Sequence, residues 1–103
     1  MRFEFDAEVW RWEARVDSWA FLSVPQDASD ETREYIGAGA QELGRRGFGA
    51  VRVEVMIGET TWRTSIFPGH SGAPYSLPLK KAVRKAESLD IGDPVHVMLE
   101  ILD

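Results

Sequence analysis

Apolar and polar residues alternate from the start of the chain, with Phe3, Phe5, Ala7 and Val9 set against Glu4, Asp6 and Glu8. A period of two predicts a strand with one wet face. Trp10 and Trp12 continue on the polar side of that alternation, so either a bulge intervenes or the second face becomes covered near the strand's end. Ser18 to Val24 is a nearly continuous apolar run, stopped by Pro25 and short enough to be a buried strand. Ile36, Ala40 and Leu43 then recur at helical spacing, which predicts a helix near 30–45. Asp27 or Ser29 can cap it, and Asp30, Glu31 and Glu34 suit its positive N-terminal end. Gly37 and Gly39 each cost that helix about 1 kcal/mol relative to alanine, and close packing against a sheet would account for both.

Val51, Val53, Val55 and Ile57 alternate against Arg52, Glu54 and Met56. After a turn containing Gly58, Trp62, Thr64 and Ile66 alternate against Arg63, Ser65 and Phe67, the clearest hairpin pattern in the chain. A Pro- and Gly-rich stretch from Pro68 to Pro74 predicts a loop before a short strand at Tyr75 to Leu77. Leu79, Ala82, Val83 and Ala86 follow the spacing of a short amphipathic helix whose polar face is basic. Gly92-Asp93-Pro94 is a turn, and Val95, Val97, Leu99 and Ile101 alternate against His96 and Glu100 as a closing strand. The sum is a mainly β fold of five to six strands with two short helices. Strands with separate wet faces and few protected edges are expected to form a small closed or split β-barrel.

Length and composition narrow this picture without changing it. A chain of 103 residues, 44% apolar with four Trp and five Phe, fits one globular domain over 1–103 with a single core. There is no cysteine, which excludes disulfides, thiolate nucleophiles and Cys-based zinc sites. No apolar run reaches membrane-spanning length and the N-terminus enters a strand pattern at once, so a cytoplasmic location without membrane association is the default expectation. The net charge of −5 argues against a protein that simply coats nucleic acid. That total hides a strong asymmetry. No acidic residue lies between Glu59 and Glu87, where Arg63, Lys80, Lys81, Arg84 and Lys85 stand; the remainder holds seven basic and seventeen acidic residues.

Taken together, Gly47-Phe48-Gly49 before the Val51 strand, Trp62-Arg63-Thr64-Ser65-Ile66-Phe67-Pro68, the run from Tyr75 to Ala86 and Gly92-Asp93 resemble the DUF1905 family. Trp19 to Pro25 also matches its early Trp-x-x-x-x-Val-Pro pattern. The resemblance covers nearly the whole chain. It implies a small bacterial or archaeal β-barrel with helical caps, found alone or joined to a C-terminal helical domain called YdeI/OmpD-associated; this chain is expected to be the form without it. The family has no established activity, and a fold alone licenses none. A second similarity, to AbrB-like swapped-hairpin regulators, rests on Arg84 preceding Gly92-Asp93. Pro78 lies farther upstream of Arg84 than that pattern places its proline, so it implies a related barrel and only weakly a nucleic-acid partner.

The candidate chemistry is sparse. Gly69-His70-Ser71-Gly72 has the start of a nucleophile elbow but Ala73 where glycine is needed, and no strand-to-helix context. Neither His70 nor His96 has a second His or Cys at ligand spacing, so no metal or cofactor is called for. Gly37-Ala38-Gly39 and Gly44 fall within an acidic helix with no Gly-Lys-Ser/Thr behind them, which excludes a phosphate loop. Trp10, Trp12, Trp19 and Trp62 are most simply core and barrel-rim residues, with a ligand-stacking role for one of them as the lesser alternative. Lys80, Lys81, Arg84 and Lys85 share one face of the second helix, so either carboxylates such as Glu54 or Glu87 compensate them or an anion does.

Three functions follow. The first is a non-enzymatic binding domain for an anionic ligand or partner, held by Arg63, Lys80, Lys81 and Arg84. The second is a small-molecule pocket or small enzyme at a barrel mouth lined by Trp62, Tyr75, His70 and Arg63, whose weakness is the missing acid/base pair. The third is an oligomeric adaptor joined through a strand edge or exposed Trp, with monomer and homodimer both open. The combined candidate site is Arg63, His70, Tyr75, Lys80, Lys81 and Arg84.

Overall fold

The N-terminal alternation folds as a strand, β1 (Arg2–Glu8), with Phe3, Phe5 and Ala7 half-buried and the charged residues exposed. In this computed structural model residues 1–11, 19–43 and 49–102 are described, with side chains of 38–43 excepted. After β1 come β2 (Trp10–Arg11), β3 (Ala20–Ser23), α1 (Gln26–Leu43), β4 (Val51–Ile57), β5 (Thr60–Ile66), a single 3-10 turn (His70–Gly72), β6 (Ser76–Leu79), α2 (Lys81–Ala86) and β7 (Pro94–Ile101). They form two antiparallel sheets, one of four strands in the order β1-β7-β4-β5 and one of three in the order β2-β3-β6. The fold is mainly β, as expected, but neither sheet closes into a barrel.

The strand total exceeds the expected five to six because the first run divides. Val9 is fully buried, and its N–H and C=O bond to Asp93 O at 3.0 Å and Gly92 N at 2.7 Å. The chain thereby leaves the four-stranded sheet, and Trp10 and Arg11 pair with Phe21 and Ala20 of the other. This resolves the change of face at Trp10; Trp12 lies outside the described residues. The run before Pro25 is buried on one face only: Ala20, Leu22 and Val24 are buried while Trp19 is 46% exposed and Phe21 is intermediate. Ser18 lies outside the described residues.

The inner faces of the two sheets make one core. Val51, Val53, Val55 and Ile57 of β4 meet Val95, Val97, Leu99 and Ile101 of β7 on one side, and Leu22, Val24, Tyr75, Leu77 and Leu79 complete it from the other. The β4–β5 hairpin turns through Gly58 at φ +57°, where a Cβ would run into the Glu87 carboxylate. That carboxylate accepts a hydrogen bond from Thr60 Oγ1 at 2.6 Å, tying the end of α2 to the hairpin turn. Of the stripe predicted for α2, Leu79 and Val83 are buried, whereas Ala82 and Ala86 are exposed.

α1 begins four residues earlier than expected, directly after Pro25, and Ser29 lies inside its first turns rather than capping it. Ser29 is buried; its hydroxyl donates to Val24 O at 3.1 Å and accepts from Tyr75 N–H at 3.0 Å. Asp27 Oδ1 accepts from the Ala28 N–H at 2.8 Å, the work of a carboxylate at a helix start. Among the described side chains the buried face is Ala28, Ser29 and Thr32 with Ile36 packed at its edge, so two hydroxyl residues that apolar periodicity does not mark belong to it. The side chains of Gly39, Ala40 and Leu43 lie outside the described set, as do Gly44 and the Gly47-Phe48 pair. At Gly37 a Cβ would meet nothing within 4 Å, so packing does not explain that glycine. Gly37→Ala is expected to stabilise the protein by about 0.5–1 kcal/mol through the lost backbone entropy, read as a rise of a few degrees in Tm.

The outer face of the four-stranded sheet is a polar lattice. His96, exposed on β7, stands opposite Asp6, with Nδ1 2.8 Å from Asp6 Oδ1 and Nε2 2.6 Å from Glu4 Oε2. Both ring nitrogens donate only when the ring is protonated. The hydrogen bonds to Asp6 and then Glu4 raise the His96 pKa above its ordinary 6.5. A raised pKa contributes stability that is fully present below the unfolded value and lost as pH rises through the folded one. The Tm of the wild type is therefore expected to fall relative to His96→Gln as pH rises above 6.5, and a constant difference between the two would count against the pairing.

Candidate functional site

β5 and β6 begin as a hairpin and then part. Phe67 and Ser76 exchange both backbone bonds, Phe67 N–H to Ser76 O at 3.0 Å and Ser76 N–H to Phe67 O at 2.8 Å. In an antiparallel ladder the next pair to exchange bonds is two residues on, Ser65 with Pro78. Pro78 has no N–H to give. Its ring nitrogen lies on the side facing β5, so the β3–β6 ladder, which uses Leu77 and Leu79, proceeds undisturbed from Ser23↔Ser76 to Ala20↔Leu79. No sheet pairing between β5 and β6 continues past the single bridge, and the two edges separate.

The opening between them is a cleft of about 790 Å³. One wall is Trp62, Arg63 and Thr64 of β5; the other is Pro78, Leu79 and Lys80, with Lys81 and Arg84 of α2 and Trp19 before β3 completing it. Four of the six residues singled out from the sequence, Arg63, Lys80, Lys81 and Arg84, thus converge on one concavity. Leu79 and Val83, both buried, anchor α2 so that Lys80 and Lys81 are held exposed at its start and Arg84 half-buried one turn on. Lys80, Lys81 and Lys85 make no ion pair with any described residue. Arg63 is 73% exposed at its side chain and lies 3.3 Å from Glu54 directly across the hairpin. Glu54 in turn faces Glu100, which Arg2 approaches at 3.9 Å, so Arg63 ends a cross-strand row of four charges.

A second cavity of about 590 Å³ adjoins the first along Trp19, Thr64 and Pro78 and extends past Phe21, Ser65, Phe67 and Ser76. Its floor is aromatic. Trp19 stacks on Phe21 with centroids 6.3 Å apart and planes at 23°, and Phe21 stacks on Trp10 at 4.9 Å and 25°. Trp10 Nε1 donates to Ser23 Oγ at 3.0 Å, which fixes the far end of the row.

A family model described as a domain of unknown function, DUF1905, matches residues 5–99. The chain belongs to the DUF1905 family. No curated protein matches it. The match spans both walls of the cleft; the open pair of sheets replaces the barrel the resemblance implied.

Within this DUF1905 domain, His70 and Tyr75 stand apart from the cleft. His70 is exposed in the 3-10 turn, and that loop is clamped to α1 by Arg33, which donates to Gly72 O at 3.0 Å and to Ala73 O, and by Gln26 Nε2, which donates to Gly72 O at 3.0 Å. Tyr75 is buried beneath the Arg33 guanidinium, 5.0 Å from its ring centroid. Burial raises the Tyr75 pKa, with the Arg33 charge opposing. Of the pocket expected from Trp62, Tyr75, His70 and Arg63, only Trp62 and Arg63 line the cleft. Ser71 has φ +50° and ψ +44° in a turn joined to no helix, which is not a nucleophile elbow. Among the described residues no group of three His, Asp or Glu side chains is placed to hold a metal ion, and no helix is long and apolar enough to cross a membrane. The sequence reading missed Trp19, Thr64 and Pro78 as cleft residues. A proline directly after a predicted strand was the available signal for Pro78.

Arg63 tests whether the cleft's cations serve the fold. Its ion pair with Glu54 is exposed, so Arg63→Ala is expected to lower stability by no more than about 1 kcal/mol in denaturant unfolding. A loss of roughly 3 kcal/mol would show the charge to be structural.

Proposed function

We propose that this domain binds an anionic ligand in the cleft between β5 and β6, without catalysing a reaction on it. The observation that carries the reading is the convergence of cations from β5, the β6–α2 junction and α2 on one concavity, with Lys80 and Lys81 paired to no carboxylate among the described residues. Like charges brought together on a surface repel unless something of opposite sign sits among them. Glu54 neutralises Arg63 from outside the cleft, and Glu87 is engaged by Thr60 at the hairpin turn, so neither offsets the two lysines. Arg63 and Arg84 offer planar forks suited to phosphate or carboxylate, while Lys80 and Lys81 act as mobile point charges. A volume of about 790 Å³ is that of a small-molecule site.

The test is thermal unfolding with inorganic pyrophosphate and with sulfate at low and moderate salt. A ligand at a hundred times its Kd adds about 2.7 kcal/mol of stability, and attraction between exposed charges weakens as salt rises. Pyrophosphate is expected to raise the wild-type Tm, less so at higher salt, and to have no effect on Lys80→Ser/Lys81→Ser, whose exposed side chains leave the core untouched. A double variant that responds like the wild type, or a wild type that responds to neither anion, would overturn the proposal.

A further inference from the structure

The basic cleft does not end where its charges end. It shares Trp19, Thr64 and Pro78 with the second cavity, whose exposed lining is aromatic rather than charged. Trp19 is 46% exposed and so is Phe67 beyond the seam, so two large aromatic side chains stand open to solvent on one cavity. Trp19 also ends a row of rings: it stacks on Phe21, which stacks on Trp10, and Trp10 is held by its hydrogen bond to Ser23. A fixed aromatic face costs a ligand less than one that must be ordered on binding.

Resting on the cleft reading above, we infer that the ligand is a small anion carrying a flat aromatic ring, of which a nucleoside phosphate is the simplest kind. Its phosphate or carboxylate meets Lys80, Lys81, Arg63 and Arg84, and its ring lies in the adjoining cavity against Trp19. The two cavities share Trp19, Thr64 and Pro78 in their linings, which sets them side by side for one compact molecule. The charge distribution separates this ligand from a nucleic-acid strand. Outside the acid-free segment the chain holds seventeen acidic and seven basic residues, so a long polyanion leaving the cleft meets repulsion, whereas a compact anion meets only the cations.

Calorimetric titration with adenosine diphosphate, pyrophosphate and single-stranded oligodeoxythymidines at one salt concentration tests this. Stacking of a base on an aromatic side chain is worth a factor of roughly ten or more in affinity. Adenosine diphosphate is expected to bind about tenfold more tightly than pyrophosphate. Trp19→Ala is expected to weaken adenosine diphosphate binding more than pyrophosphate binding and so to remove most of that difference, and Trp19→Phe to retain it. Measurable pyrophosphate binding by Trp19→Ala also shows that the variant has folded. Equal affinity of the wild type for the two anions would overturn the ring assignment and leave the anion cleft standing. No binding of either would overturn both. Affinity that climbs with oligonucleotide length beyond that for adenosine diphosphate would replace the small ligand with a nucleic-acid strand.

Discussion

Pro78 stands where the two sheets would otherwise zip together. The Phe67–Ser76 bridge starts a ladder between β5 and β6, and one of the two bonds of the next pair, Ser65 with Pro78, needs a donor that proline lacks. Because the missing donor faces β5 alone, β6 stays paired to β3 through Leu77 and Leu79 while its other edge is released. Two strand edges with unmet backbone groups are ordinarily a hazard for a β protein. Here they are splayed apart, short, and flanked by cations, which discourages addition of a further strand. The opening of the cleft thus coincides with a backbone donor missing at one residue.

The charge pattern acquires its sense from that opening. Most of the surface is acidic, and the polar lattice on the outer face of the four-stranded sheet is built from pairs: His96 with Asp6 and Glu4, Arg63 with Glu54, Arg2 with Glu100. Lys80 and Lys81 are treated differently. They begin a helix too short to hold itself, fixed instead by Val83 in the core and by the Glu87–Thr60 bond at the hairpin turn. The same anchoring that stabilises α2 therefore aims its basic side at the cleft.

Period-two alternation made most of the β-structure legible in the sequence. β4 and β7 follow it residue by residue, and β5 does so except at Thr64 and Ser65, both half-buried, because each has one face in the core and one in water. Elements governed by something other than hydrophobic contrast were less legible. The first turns of α1 bury Ser29 and Thr32, whose hydroxyls find backbone partners at Val24, Tyr75 and Ala28, and so that part of its inner face carried no apolar stripe to read. The division of the first run at Val9 depends on bonds to Gly92 and Asp93 more than eighty residues away, which no local pattern encodes. The basic cluster was visible as the absence of acids between Glu59 and Glu87, and four of its members do share the cleft. His70 and Tyr75 were grouped with them through sequence nearness, but the intervening loop is drawn toward α1 by Arg33 and Gln26. The aromatic ledge was read as core because exposure of Trp19 depends on which sheet edge it borders.

Amide hydrogen exchange along β5 tests the central claim most directly. On this strand Phe67, Ser65 and Arg63 direct their N–H groups toward β6, and the intervening residues direct theirs into the β4 ladder. The ladder's arrest at Pro78 predicts protection at Phe67 and at Thr64 and Ile66, with fast exchange at Ser65 and Arg63. Slow exchange at Ser65 and Arg63, matching that of Thr64 and Ile66, would mean that the edges are joined and that no open cleft exists between them.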